Sequence, residues 1–358
     1  MSANILDNLK PQNICIIKPS AFGDVVQALP LLPVLKERFP QAKLSWVIND
    51  SLSGLLEGHP HLDEIIPFNR KGTWGEWKSF LGGLRKRQFD LVFDLQGLLR
   101  TAVMTRFSGA KMRVGLQTAR EGAHLACHYT ILDSGKNVPA HTRYWRVAEA
   151  VGMGDQKRQT FIKVSPEDHT WVQQQAAQLK GPILAIHPGA RWATKRWPVE
   201  KLAVVTSQAI RKFGFSAVIL GSADEKPVAA QLVHILKSFT PSASVLNLTG
   251  ETSLKQLAGM LSASTVLLSN DSGPMHLAAG LGTPVLGVFT ATNALRSGPP
   301  GDQHELVSTN LRCAACYKKR CPKMGSRHLR CLDELTTESV FQSFYHLLEK
   351  NNFFSDVA

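Results

Sequence analysis

The chain has 358 residues, enough for two full cores, since single cores stop growing at roughly 250–300 residues. Its 44% hydrophobic and 19% charged residues are the mixture of a soluble globular protein, and no apolar run approaches the roughly 18 residues of a membrane span. Forty-one Lys and Arg against 28 Asp and Glu leave +13, which suits nucleic acid, an anionic membrane face or a strongly anionic substrate. Scattered basic residues, with no helix-turn-helix signature and no RNP-like aromatic pattern, argue against nucleic acid. Residues 1–10 carry Asp7 and no apolar h-region, which disfavours a secretory signal and makes the cytoplasm the default.

In chain order, residues 14–17 read as a strand, 25–39 as a helix entered at Asp24, and 44–48 as a strand. A short helix at 51–58 and a strand at 65–67 follow, then a helix at 77–86 and a strand at 91–95. This βαβα order predicts a parallel sheet with helices on both faces. The second half repeats it, with strands at 183–186, 217–220, 245–248, 266–268 and 285–289. Residues 290–333 read as an irregular insert and 336–350 as a final amphipathic helix. The expected fold is therefore α/β, with Rossmann-like domains at 1–165 and 181–333, a hinge near 165–181 and a closing helix. Open α/β sheets bind ligands beyond the carboxyl ends of their strands, so motifs should collect there.

They do. The apolar run at 265–268 ends in Ser269-Asn270-Asp271-Ser272-Gly273-Pro274, and a helix is expected from about Met275. Such a turn points the N–H groups of a helix N-terminus out of the sheet, where a phosphate is favoured. Gly273 lets backbone approach a ligand, Pro274 suits the first turn, and His276 lies one turn in. The plain alternative is an ordinary strand–turn–helix capped by Asp271 or Ser272. At the first strand end, Lys18-Pro19-Ser20-Ala21-Phe22-Gly23-Asp24 places a carboxylate that is either a helix N-cap or a group able to take a proton from a hydroxyl. In the second half, His187-Pro188-Gly189-Ala190 leads into Arg191-Trp192-Ala193-Thr194-Lys195-Arg196-Trp197-Pro198. That turn suits a diphosphate, with Lys195 as a point charge and Arg196 as a fork, or else is a solvated basic loop anchored by Trp197. Glu225, after Gly221-Ser222, is placed to accept from ribose hydroxyls.

The turn at 270–276, Lys195-Arg196-Trp197-Pro198, Gly221-Ser222 and Gly23-Asp24 together resemble the bacterial heptosyltransferases, glycosyltransferase family 9. Asp94-Leu95-Gln96-Gly97-Leu98 and Gln117-Thr118-Ala119-Arg120-Glu121 look most like the lipopolysaccharide heptosyltransferase I branch. The resemblance implies a GT-B architecture of two facing Rossmann-like domains and an inverting transfer of heptose from ADP-L-glycero-D-manno-heptose. The implied acceptor is the Kdo/inner-core region of lipopolysaccharide, on lipid A, at the anionic inner face of the inner membrane. By resemblance Asp24 matches the base, Lys195 the phosphate-binding lysine and Glu225 a ribose contact. Asp271, Ser272, Gly273 and His276 match the donor turn, with His187 and Gly189 at the preceding strand end; Thr252 matches, more loosely, the adenine pocket. Arg120, Arg143, Arg70 and Lys71 are candidates for the anionic acceptor, against a plain role as solubility charge.

Cys313-x2-Cys316-x4-Cys321-Pro322-x8-Cys331 clusters four of six cysteines, within the segment 311–333. It resembles an insert of other branches, including heptosyltransferase II-like and autotransporter-modifying enzymes. Four thiolates suit a structural Zn or Fe, and free cytosolic thiols are the alternative. No DxD motif is evident, so catalysis is expected to need no metal or other cofactor. Two other classes compete: a GT-B nucleotide-sugar epimerase, which would act on donor alone, and a zinc-containing nucleic-acid-binding protein, which would leave Asp24 and the turn at 270–276 without a role.

Overall fold

The computed structural model describes residue 6 and residues 8–354; most of the stretch 1–10 read as lacking a secretory signal, Asp7 included, lies outside them. Contacts divide the chain into two compact units, Met1–Lys163 and Val164–Ala358.

The first unit is built on β1 (Asn13–Ile17), β2 (Lys43–Asn49), β3 (Glu64–Phe68), β4 (Leu91–Asp94), β5 (Met112–Leu116) and β6 (Tyr129–Ile131), all parallel, in the order β3-β2-β1-β4-β5-β6. The central strands β1 and β4 are buried nearly end to end, because helices cover both faces of a parallel sheet. The single helix expected at 25–39 is two, α1 (Phe22–Ala28) and α2 (Leu31–Arg38), since Pro30 lacks the N–H that would continue the first. Next comes α3 (Trp74–Lys86), entered through a reciprocal cap between Thr73 and Glu76. Then α4 (Leu99–Phe107), β5, β6 and α5 (Ala140–Ala150) complete the unit, in stretches for which the sequence reading assigned no element.

The second unit repeats the topology. After α6 (Pro166–Ala176) come β7 (Ile183–His187), α7 (Val199–Phe213), β8 (Ser216–Ile219), α8 (Lys226–Phe239) and β9 (Val245–Asn247). There follow α9 (Leu254–Ser262), β10 (Val266–Asn270), α10 (Gly273–Gly280), β11 (Val285–Phe289), α11 (Ala294–Ser297), β12 (Glu305–Ser308), α12 (Arg330–Glu334) and α13 (Thr337–Lys350). The sheet order is β12-β11-β10-β7-β8-β9, so each unit has the same pattern of a central first strand flanked by the second and the fourth. The hinge expected at 165–181 mostly forms α6, capped by Ser165 with Pro166 at its first position. The insert at 290–333 is not wholly irregular: β12 extends the sheet beside β11. The closing helix α13 packs on the sheet core through Val340, Phe344, Leu347 and Leu348. No described helix is long and apolar enough to cross a membrane.

Candidate active site

In the second unit the carboxyl ends of β7, β8 and β10 carry the predicted donor residues. His187 ends β7 and its Nε2 lies 3.3 Å from Oε2 of Glu225. The same carboxylate oxygen accepts from the backbone N–H of Ser222 at 2.8 Å and from its hydroxyl at 3.0 Å. Burial alone would raise the Glu225 carboxyl, but the bond and charge of His187 and the two Ser222 donors bring it down to about 2. The nearest atoms to a Cβ placed on Gly189 are all from Glu225, with Oε1 at 1.5 Å. As it stands, the Glu225 carboxylate occupies the space that a side chain at 189 would take. Gly221 is crowded by the same group, its Cβ position 2.8 Å from Oε2.

One strand over, β10 delivers Asn270, whose side chain accepts from the Trp197 N–H at 3.0 Å and donates to the Pro188 carbonyl at 2.8 Å. That buried amide locks the 188–197 loop onto the strand end. Asp271 meets the Lys195 ammonium at 2.6 Å and accepts from the Thr292 hydroxyl at 2.5 Å; its side chain is 7% exposed and that of Lys195 16%. Lys195 also stands 4.7 Å from the Trp192 ring. Ser272 is the N-cap residue of α10, with its hydroxyl 2.9 Å from that of Ser269; Gly273 and Pro274 begin the helix and His276 is buried in it. The arrangement collects a cation, a carboxylate–histidine pair and a helix N-terminus at adjacent strand ends, which suits an anionic ligand bearing hydroxyls.

In the first unit Asp24 lies in the first turn of α1, whose N-cap is Ala21, so the simple N-cap alternative does not hold. Its Oδ2 accepts from the Ala21 N–H at 3.3 Å and stands 3.7 Å from the Lys18 ammonium, while Oδ1 accepts from the Tyr144 hydroxyl at 2.9 Å.

A sequence profile of glycosyltransferase family 9 (heptosyltransferase) matches residues 77–326, more than half of the chain. The chain belongs to that family. The transferase is 29% identical over 303 residues to the lipopolysaccharide core heptosyltransferase OpsX of Haemophilus influenzae, covering 83% of this chain and 84% of that one. It is 28% identical over 347 residues to lipopolysaccharide heptosyltransferase 1 of Pseudomonas aeruginosa, covering 91% and 92%. Among solved structures, the Escherichia coli ADP-heptose lipopolysaccharide heptosyltransferase II aligns with a TM-score of 0.76 at 23% identity, over 95% of this chain and 99% of that one. The fold is accordingly GT-B, with its two Rossmann-like units in series.

Several residues of the transferase have partners that their sequence motifs did not reveal. Lys195 is ion-paired with Asp271 rather than solvated, and the exposed Arg196 spends its Nε–H on the Ala190 carbonyl at 2.7 Å. Thr252 sits in the turn between β9 and α9, one residue before the Ser253 cap. The exposed Arg120 donates its backbone N–H to the Gly97 carbonyl at 2.8 Å, and the Leu99 N–H bonds Glu121 at 3.0 Å, so the two segments that resemble heptosyltransferase I pack together. Arg143, on α5, lies 6.0 Å from the ring of Tyr144. Arg70 and Lys71 are exposed at the end of the edge strand β3, two strands from β1. Arg70 lines a cavity of about 460 Å³ with Phe68, Trp74, Trp77, Phe80 and Arg100. Lys18, Tyr144 and Thr292 escaped the sequence reading. A charged residue closing a fully apolar strand was a signal for Lys18; none existed for the other two, which arrive from distant segments.

The four clustered cysteines are free thiols, with Cys313 and Cys316 exposed and Cys321 and Cys331 half-buried. As the side chains stand, no group of three or more His, Cys, Asp or Glu among the described residues is close enough to hold a metal ion. The Cys321 sulfur accepts from the Leu329 N–H at 3.4 Å. Burial raises the Cys331 thiol, and the nearness of Cys313, Cys316 and Cys321 raises it further. Nor is the segment separate from the residues predicted to bind the donor. Thr194 donates to the Lys318 carbonyl at 2.6 Å, Thr290 donates to the Thr194 carbonyl at 2.6 Å, and the Tyr317 N–H bonds Ala291 at 2.8 Å.

Proposed function

We propose that this transferase moves heptose, with inversion, from ADP-L-glycero-D-manno-heptose to the Kdo region of a lipid A-linked lipopolysaccharide core. Membership in family 9 carries the reading, and the named relatives, both lipopolysaccharide heptosyltransferases, support it. Asp24 takes the proton of the acceptor hydroxyl as the bond to the diphosphate breaks, so the attacking oxygen becomes the new glycosidic oxygen and ADP leaves with the bonding pair. Lys195 and the N–H groups at the start of α10 hold the charge that grows on the diphosphate, each such donor being worth on the order of 10²-fold in rate. His276 belongs to the same helix turn. Glu225, kept ionised at neutral pH, accepts from the ribose hydroxyls, with His187 and Gly189 shaping its seat, and Thr252 borders the adenine.

Arg120 and Arg143 receive the anionic acceptor in this reading, with Arg70 and Lys71 further along the strand ends. A net charge of +13 supports work at an anionic inner-membrane surface from the cytoplasmic side. A structural Zn or Fe on Cys313, Cys316, Cys321 and Cys331 belongs to the same proposal, supported by four soft ligands in one segment. That metal would brace the segment; the reaction is assigned no step through it.

The test is mass spectrometry of purified protein incubated with ADP-heptose and Kdo₂-lipid A. A heptosylated lipid is expected. Transfer only onto an acceptor already bearing one heptose would assign the chain to the second transfer, and conversion of donor without acceptor would make it an epimerase.

A further inference from the structure

Asp24 is held by more than its own helix. A carboxylate in the first turn of α1 needs only the Ala21 N–H to serve as a helix-end contact. Here two buried groups from other elements converge on it. Lys18, at the end of β1, is 2% exposed, and its ammonium lies 3.2 Å from the Gln96 side-chain oxygen and 3.7 Å from Asp24 Oδ2. Its nitrogen also stands 5.2 Å from the centre of the Tyr144 ring. Tyr144, on α5 and equally buried, donates its hydroxyl to Asp24 Oδ1. The Gln96 that supports Lys18 is fixed in turn, since Asp94 accepts from the backbone N–H groups of Gln96 and Gly97 and from the Thr101 hydroxyl.

We infer that Lys18 and Tyr144 are positioning residues for Asp24, gripping one carboxylate oxygen each so that the base keeps one orientation and stays ionised. Burial of an ammonium is costly unless a charge or strong acceptors face it. Lys18 has both in Asp24 and Gln96. Burial lowers its basicity and Asp24 works against that shift; the other charged groups facing it are Arg143 on α5, which adds to the lowering, and Asp94 on β4, which opposes it. Burial and then Asp24 keep the Tyr144 phenol protonated far above neutral pH, so it remains a donor. A residue that only glued α5 to α1 would need neither an ammonium nor a hydroxyl aimed at the same carboxylate.

The inference rests on Asp24 being the base, and the experiment separates the two. Transfer kinetics of the full chain are measured against pH for Asp24→Asn, Tyr144→Phe and Lys18→Met. Both partners favour the charged carboxylate, so removing either raises its proton affinity and activity is lost at a higher pH as the solution is acidified. For Tyr144→Phe and for Lys18→Met the acid limb of kcat should move up by on the order of one pH unit, with kcat down about tenfold and KM for ADP-heptose unchanged. A kcat lowered evenly at every pH, with the acid limb in place and Asp24→Asn inactive, overturns the positioning role and leaves the base assignment standing. Full activity of Asp24→Asn overturns both. Tyr144→Phe removes a single hydroxyl, so it decides the matter alone if Lys18→Met does not fold.

Discussion

Gly189→Ala tests the geometry of the proposed donor site at its tightest point. The added methyl would lie 1.5 Å from Oε1 and 2.2 Å from Cδ of Glu225, so the carboxylate must leave its seat. On leaving, it gives up the His187 contact and both donors of Ser222. Those contacts hold the carboxyl at about 2 rather than 4.5, a gap that corresponds to roughly 3 kcal/mol at neutral pH. Solvent reaches part of the group and screens it, so about 2 kcal/mol is the expected loss. Because the folded value is depressed, this stability is present above about 4.5 and disappears as pH falls toward about 2. Urea unfolding at pH 7 should therefore show Gly189→Ala less stable by about 2 kcal/mol, with the difference shrinking in acid. The cycle with Glu225→Ala is the sharper measurement. With no carboxylate to displace, Gly189→Ala should cost almost nothing, and the coupling should equal most of the single-variant loss. An equal cost in both backgrounds would mean that the methyl strikes the loop backbone, and the account of Gly189 would be wrong.

Other outcomes follow from the same geometry. Asp24→Ala should abolish transfer while ADP affinity stays nearly unchanged, as isothermal titration would show; near-normal kcat would remove Asp24 from the chemistry. Lys195→Ala should weaken ADP-heptose on the order of 10²-fold and adenosine far less, since only the former carries the diphosphate. It should also cost about 3 kcal/mol in unfolding, because Asp271 is left buried with Thr292 as its remaining side-chain donor. Equal losses for both ligands would make Lys195 a structural residue only. Elemental analysis of protein prepared anaerobically without chelators should find about one Zn or Fe per chain if the four thiolates close a tetrahedral site. Cys316→Ser should then lower both the melting temperature and ADP-heptose affinity, as the bonds from Thr194 to Lys318 and from Tyr317 to Ala291 link the insert to the Lys195 loop. Metal-free protein of undiminished stability would reject the site.

The amino-acid sequence alone determined what is local and repetitive. Buried parallel strands are continuous apolar runs, so β1, β4, β7, β10 and β11 were readable, and their alternation with helices specified two Rossmann-like units. Strand ends followed by glycine, proline and acid placed Asp24, Glu225 and the 270–276 turn, because turn chemistry is written in neighbouring residues. Three strands were not readable: β5, β6 and β12 mix polar residues with apolar ones, so their place depends on a sheet that must already exist. What the side chains do was decided only by the tertiary structure. Tyr144 reaches Asp24 across 120 positions, Asp271 captures Lys195 across 76, and Thr292 reaches Asp271 from the following strand's loop. Such pairings have no local signature, since hydrogen bonds and burial depend on distance in space and sequence spacing constrains that distance only within one element. The carboxylate seated against Gly189 is the plainest instance: a turn glycine in the sequence, and in the fold the floor beneath the Glu225 side chain.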